Sequence, residues 1–284
     1  MKLLKYFFEA IFIYLSFLII RILGLEKSRN LFSFIFIKLG KLFKKEEIIN
    51  KNLKIFNKAI SELKLEGIKN DMWSNYGMTF VEYIFLSKFY RENNHIEILG
   101  NENLSKVLHT NKPVIFVSGH FANFELMSME ITKNNIKLAT IYRPLNNYFV
   151  NPLMEYLRKK YICKNQIKKG LNGVKESITY IKKGFSVALM IDQRVSEGER
   201  VKFFNKPALT TTLPAQLAFK FDLQIIPVFI ERDKKNNFKM KFLEGVRPSE
   251  FENKVDLTKK LNEILEKMIS NNPNQWIWTH NRWK

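Results

Sequence analysis

The sequence has one cysteine, Cys163, which excludes a disulfide framework and suits a reducing compartment. That cysteine has no redox partner, and in the lysine-rich stretch YICKNQIKK it reads as structural rather than as a nucleophile. Acidic side chains are scarce: 27 Asp and Glu stand against 47 Lys and Arg, a formal charge of +20. Such an excess favours a polyanionic partner, whether nucleic acid, an anionic membrane, a phosphorylated ligand or an acidic carrier protein. There is no G-x-S-x-G elbow, no glycine-rich nucleotide fingerprint, no H-E-x-x-H and no Cys/His pairing. His95, His109 and His280 fall in separate segments, so no metal site assembles and no cofactor is implied. Apolar residues are abundant, at 46% with 25 Phe, which is far too many for a disordered basic tail. The charge therefore sits on a body that packs or touches lipid.

Tyr6 to Leu25 reads YFFEAIFIYLSFLIIRILGL, with Glu9 and Arg21 as its only charges. Roughly 20 apolar residues suffice to cross a bilayer, so this is a membrane-helix candidate. No small-x-small cleavage site follows, which argues for retention over a signal peptide. Lys2 and Lys5 on one flank and Lys27 and Arg29 on the other leave orientation unspecified, and a helix lying in the interface fits equally. The next stretch, Leu31 to Lys45, runs from Phe and Ile into lysines, as suits a segment resting on anionic headgroups; an ordinary core helix is the alternative.

From Lys44 to Asn101 apolar residues recur at helical spacing, and no chemistry stands out. After Pro113 the character changes. VIFVSGH is a β-branched run ending at His120, followed by the helix-like NFELMSMEITKNN from Asn123. Further strands are expected at Ile136 to Tyr142, Phe185 to Ile191 and Leu223 to Ile230, with Pro227 pointing to an edge or a bulge in the last. Strands alternating with amphipathic helices predict an α/β layer with its ligand chemistry at the carboxyl ends of the strands. Thr210 to Thr212, before LPAQLAFKF, read as the N-cap region of a helix with Pro214 in its first turn.

His120 and Glu125 stand five apart in GHFANFE. On one continuous helix they would lie roughly 140° apart. If the helix begins near Asn123 as N-cap, His120 lies in the preceding turn and faces back toward Glu125. A carboxylate on one ring nitrogen makes the other a stronger base. With no serine elbow, the attacking oxygen belongs to a substrate hydroxyl or to water.

GHFANFE, YRP at Tyr142 to Pro144, DQ at Asp192 and Gln193, FFNKPALTTT at Phe203 to Thr212 and the C-terminal WIWTHNRWK together resemble the bacterial lipid A late acyltransferases, of the lauroyl and myristoyl transferase type. The resemblance runs from the N-terminal segment to the last residue. Two departures are Ala122, where the family usually has Gly, and Phe124, where it has Trp. The resemblance implies a mixed central sheet flanked by helices, like that of the glycerolipid acyltransferases, behind an N-terminal membrane-associated helix. Residues 1–28 would be that helix and 29–284 the acyltransferase domain, helical over 29–105 with an α/β catalytic core over 106–284.

It further implies transfer of an acyl group from acyl carrier protein to a hydroxyl of a lipid A precursor, at the cytoplasmic face of the bacterial inner membrane. His120 would be the general base and Glu125 would hold and polarise its ring. Arg143 would bind acceptor phosphate or stabilise the oxyanion, and Asp192 would hold Arg143 or a sugar hydroxyl. Asn123 and Gln193 complete the substrate-binding set. Two rivals remain. One is another acceptor, a lysophospholipid or a phosphatidylinositol mannoside. The other is a non-catalytic basic protein binding membrane or nucleic acid through Arg158 to Lys183, although no nucleic-acid module is recognisable there.

Overall fold

The computed structural model describes residues 2–40, 42, 45–108 and 112–284; Lys41, Phe43, Lys44 and His109, which belong to stretches read above, lie outside them. Among the described residues nine strands form: β1 Ile96–Leu99, β2 Ile115–Ser118, β3 Leu138–Tyr142, β4 Asn165–Lys168, β5 Ser186–Met190, β6 Glu199–Phe203, β7 Lys206–Thr210, β8 Ile225–Arg232 and β9 Phe238–Phe242. Seven of them make one sheet in the order β1-β9-β8-β2-β5-β3-β4, while β6 and β7 pair as a separate hairpin. Within the sheet only β8 and β9 run antiparallel. The helices are α1 Lys2–Leu23, α2 Leu25–Gly40, α3 Glu46–Phe56, α4 Glu62–Glu82, α5 Leu86–Arg91, α6 Asn101–Leu108, α7 Glu125–Lys133, α8 Asn151–Leu157, α9 Leu171–Lys182, α10 Leu213–Phe221 and α11 Lys254–Asn271. The protein is thus a mixed α/β fold, a central sheet flanked by helices behind one apolar N-terminal helix.

Every residue of β2 is buried, because helices cover both faces of the sheet there. Its side chains alternate. Ile115 and Val117 enter a core shared with α4, α10 and α11, and Phe116 enters a second core shared with α5 and α7. Pro227 sits inside β8, between β2 and β9, and not at an edge or a bulge as its lack of an N–H suggested. The register explains this. Rungs to β9 begin one residue later, at Val228, so the missing donor costs only the reciprocal bond at the end of that ladder, where the Pro227 carbonyl still accepts from Leu243 N–H at 2.9 Å.

α1 is 22 residues long and apolar enough to cross a membrane. Ala10, Phe17 and Ile20 pack inward, and Asn147 and Phe149 tie the helix down by bonds of 2.8 Å to the Tyr6 carbonyl and the Tyr14 hydroxyl. Most of the rest of its surface, including Phe8, Phe12, Leu15 and Ile22, is exposed. The next helix, α2, packs along α4.

Candidate active site

Sheet register dictates where the site forms. Ser118 of β2 pairs with Met190 of β5, so His120 and Asp192 each lie two residues past the same rung of adjacent parallel strands. Tyr142 of β3 pairs with Lys168 of β4, which puts Arg143 and Lys169 side by side one step past theirs. All four residues therefore emerge at one edge, the carboxyl ends of parallel strands. Gly119 permits the close approach: a Cβ there would stand 2.7 Å from the Phe121 ring and 3.3 Å from Asp192 Oδ2.

His120 Nδ1 lies 2.7 Å from Asp192 Oδ1, and the His120 backbone N–H donates to Oδ2 at 2.7 Å. The Trp276 indole N–H donates to Oδ2 at 2.9 Å. This corrects the expected partnership, because the imidazole is held by Asp192 and not by Glu125. The correction extends to Asp192 itself, which is 1% exposed and directs its oxygens to His120 and Trp276 rather than to Arg143 or a sugar hydroxyl. Burial alone would push its carboxyl up, but the His120 ring and backbone N–H and the Trp276 indole outweigh this and hold it below the usual carboxylate range. An ionised Asp192 fixes the proton on Nδ1 and leaves Nε2 as the basic nitrogen.

Glu125 belongs to a second buried cluster. Its Oε1 accepts from Arg158 Nε at 2.8 Å, Arg158 Nη2 at 2.6 Å and the Tyr83 hydroxyl at 2.8 Å. Arg158 is held above the ordinary arginine range: burial would lower it, and Glu125 more than compensates. The helix α7 begins at Glu125 itself, with Phe124 at the capping position and no side-chain cap. Asn123 is therefore not the N-cap. It is 1% exposed and donates to Glu82 Oε2 at 2.9 Å, beneath the turn.

That turn is held from below. The Ala122 carbonyl accepts from Asn75 Nδ2 and Thr79 Oγ1, each at 3.2 Å. Glu82, fully buried, takes Arg29 at 2.8 Å and Arg232, which together override burial and keep its carboxyl below the ordinary range. Ala122 adopts φ +44°, a conformation that suits glycine. The Phe124 ring stands edge-on to His120, 4.6 Å between centroids.

His120, Glu125, Arg143, Gln193, Lys169 and His280 line one cavity of about 550 Å³. Lys45 and Arg158 also line it, and among the described residues Glu125 is its one acidic wall residue. Lys169 is pulled below the ordinary lysine range, first by burial and then by Arg143 beside it. A wall of this charge suits a phosphorylated ligand. Of the residues expected from sequence, His120, Glu125, Arg143 and Gln193 meet here, whereas Asp192 and Asn123 stand behind the wall. Among the described residues no cluster of His, Cys, Asp or Glu has metal-site geometry.

The whole chain, residues 1–284, matches the family described as bacterial lipid A biosynthesis acyltransferase. The chain belongs to that family. Among relatives, it is 24% identical over 187 residues to lipid A biosynthesis acyltransferase 2 of Shigella flexneri, covering 63% of this chain and 58% of that protein, so a little over half of that relative is spanned. It is 25% identical over 263 residues to the lipid A biosynthesis palmitoleoyltransferase of Escherichia coli (strain K12), covering 86% and 80%. A 1-acyl-sn-glycerophosphate acyltransferase structure from Thermotoga maritima aligns over 89% of this chain and 100% of its own, with 14% identity and a TM-score of 0.43.

Within this lipid A acyltransferase family member, five contributors to the site escaped the sequence reading: Trp276, Arg158, Tyr83, Lys169 and His280. Trp276 and His280 lie in the C-terminal WIWTHNRWK block, whose aromatic density was visible but whose contacts were not. Arg158 and Lys169 fall in the basic stretch Arg158 to Lys183, where sequence alone does not sort buried cations from exposed ones. Cys163 is buried, donates to the Leu138 carbonyl at 3.2 Å and is pushed up by burial, away from nucleophilic use.

Proposed function

We propose that this chain transfers a fatty acyl group, of the lauroyl or myristoyl class, from acyl carrier protein to a hydroxyl of a lipid A precursor at the cytoplasmic face of the bacterial inner membrane. The observation that carries the reading is a half-buried His120 paired with a buried Asp192 and opening on a cationic cavity, in a chain of the lipid A acyltransferase family with an exposed apolar helix. Residues 1–28 serve as the membrane element and 29–284 as the acyltransferase part.

In the proposed reaction His120 Nε2 takes the proton of the acceptor hydroxyl as its oxygen attacks the donor thioester carbon. The carbonyl electron pair moves onto oxygen, then returns as the carbon–sulfur bond breaks. The thiolate leaves and collects the proton from His120. No acyl-enzyme forms. Glu125 Oε1 is fully engaged by Arg158 and Tyr83, while Oε2 takes no bond among the described residues and orients the acceptor. Arg143 and Lys169 bind acceptor phosphate, and Gln193 holds a sugar hydroxyl. The lysine-rich surface receives the acidic carrier protein and anionic headgroups.

The test is purified protein incubated with acyl carrier protein loaded with lauroyl or myristoyl chains and a phosphorylated lipid A precursor. Mass spectrometry should find product heavier by one acyl group, in an ester that mild base removes. Product from a lysophospholipid or a mannosylated inositol lipid instead would move the reading to a different acceptor.

A further inference from the structure

His280 is anchored by three hydrogen bonds. Its Nε2 accepts the Arg194 backbone N–H at 2.9 Å, and its carbonyl accepts from Asn52 Nδ2 and Arg282 N–H, each at 2.8 Å. Arg194 lies two residues after Asp192, so this contact ties the C-terminal segment to the loop that carries the partner of His120. The ring lines the same cavity as His120. A nitrogen that accepts an N–H bears a lone pair, so the proton of the neutral ring is on Nδ1. Nδ1 has no hydrogen-bond partner among the described residues. Burial, reinforced by Arg282, His120 and Lys45 against the opposing pull of Asp192, lowers the ring to about 4, so it is uncharged at neutral pH.

We propose that His280 Nδ1–H is a hydrogen-bond donor to the carbonyl oxygen of the thioester, strengthening as that oxygen becomes an oxyanion. This deepens the acyl-transfer reading and rests on it. In the acyl transfer the carbon–oxygen bond forms as the π pair moves to oxygen, and His280 gives a hydrogen bond there without transferring its proton. A neutral donor fits because it stays a donor throughout and does not compete with His120 for the proton. The mirror-image arrangement, an Nε2–H aimed inward, is ruled out by the Arg194 contact.

The two ring positions have separate amide mimics. His280→Asn places an amide N–H near the Nδ1 position and keeps the donor; His280→Gln places an amide oxygen near Nε2 and keeps the Arg194 contact. Initial rates of both variants are measured over donor and acceptor concentrations that reach saturation, beside thermal melting. Loss of one oxyanion donor lowers kcat by about 10²-fold or more. The expected result is that the Gln variant falls by about that factor with little change in KM, and that the Asn variant is at least tenfold faster than Gln. Any outcome in which Asn does not outperform Gln overturns the assignment, including both active, both inactive while folded, or Gln the faster. A wild-type protein with no transfer at all would instead defeat the acyl-transfer reading, separately from this ranking.

Discussion

Trp276 gives its indole N–H to the same oxygen of Asp192 that receives the backbone N–H of His120, at 2.9 and 2.7 Å. The carboxylate is thereby fixed against rotation, and its other oxygen is presented to the imidazole. Asp192→Asn keeps the shape but replaces an ionised acceptor with an amide that can present N–H to Nδ1, favouring the wrong tautomer. The expected result is a fall in kcat of about 10³- to 10⁴-fold with the fold intact, measured by steady-state kinetics and circular dichroism.

Glu125 and Arg158 answer to a different rule. Their side chains are 9% and 10% exposed, so removing one charge leaves the other buried and unpaired. Glu125→Gln should lower stability by about 3 kcal/mol in denaturant unfolding. Activity per folded molecule should fall less than for Asp192→Asn, because the imidazole keeps its partner. An equal loss in both would mean that Glu125 acts directly on the proton.

Acid should destabilise the fold in two stages. His280 is lowered to about 4 in the folded protein, so between its ordinary value and 4 the unfolded chain binds more protons, and stability falls as pH drops through that window. Asp192 and Glu82 are also lowered, and their contributions, present above the ordinary carboxylate range, are lost as pH falls below it. Thermal melting from pH 7 to pH 3 should therefore decline first between about 6.5 and 4, then more steeply below. His280→Gln should flatten the upper stage alone.

Phe12 and Ile22 are 68% and 76% exposed on α1. Replacing both with Lys should reduce co-sedimentation with vesicles containing anionic lipid, since a charge costs about 3 kcal/mol at the centre of a membrane helix. Melting temperature should stay within the range of surface substitutions. Unchanged co-sedimentation would show that α1 is not the lipid-facing element.

The central strands were legible because they are continuous apolar runs, and His120 and Asp192 were both placed correctly at strand ends. Their pairing was not, because it depends on which strands are adjacent: β2 and β5 neighbour each other only through crossovers about 70 residues apart. Proximity along the chain favoured Glu125 instead. The short β1 and β4 lacked an alternating pattern long enough to see. The β6–β7 hairpin turns on Phe204 and Asn205, both at positive φ, rather than on the Asn-Gly that signals such turns. Packing of Phe204 against Phe56 and Trp283, ring centroids 5.3 and 6.4 Å away, accompanies a backbone that phenylalanine alone disfavours.

The most direct test of the account is the rate of acyl transfer by His120→Ala, purified, folded and membrane-bound like the parent. Loss of the base should reduce turnover by about 10³-fold or more, with little change in acceptor KM. Transfer within a few-fold of the parent would contradict the claim that this imidazole takes the proton of the lipid hydroxyl.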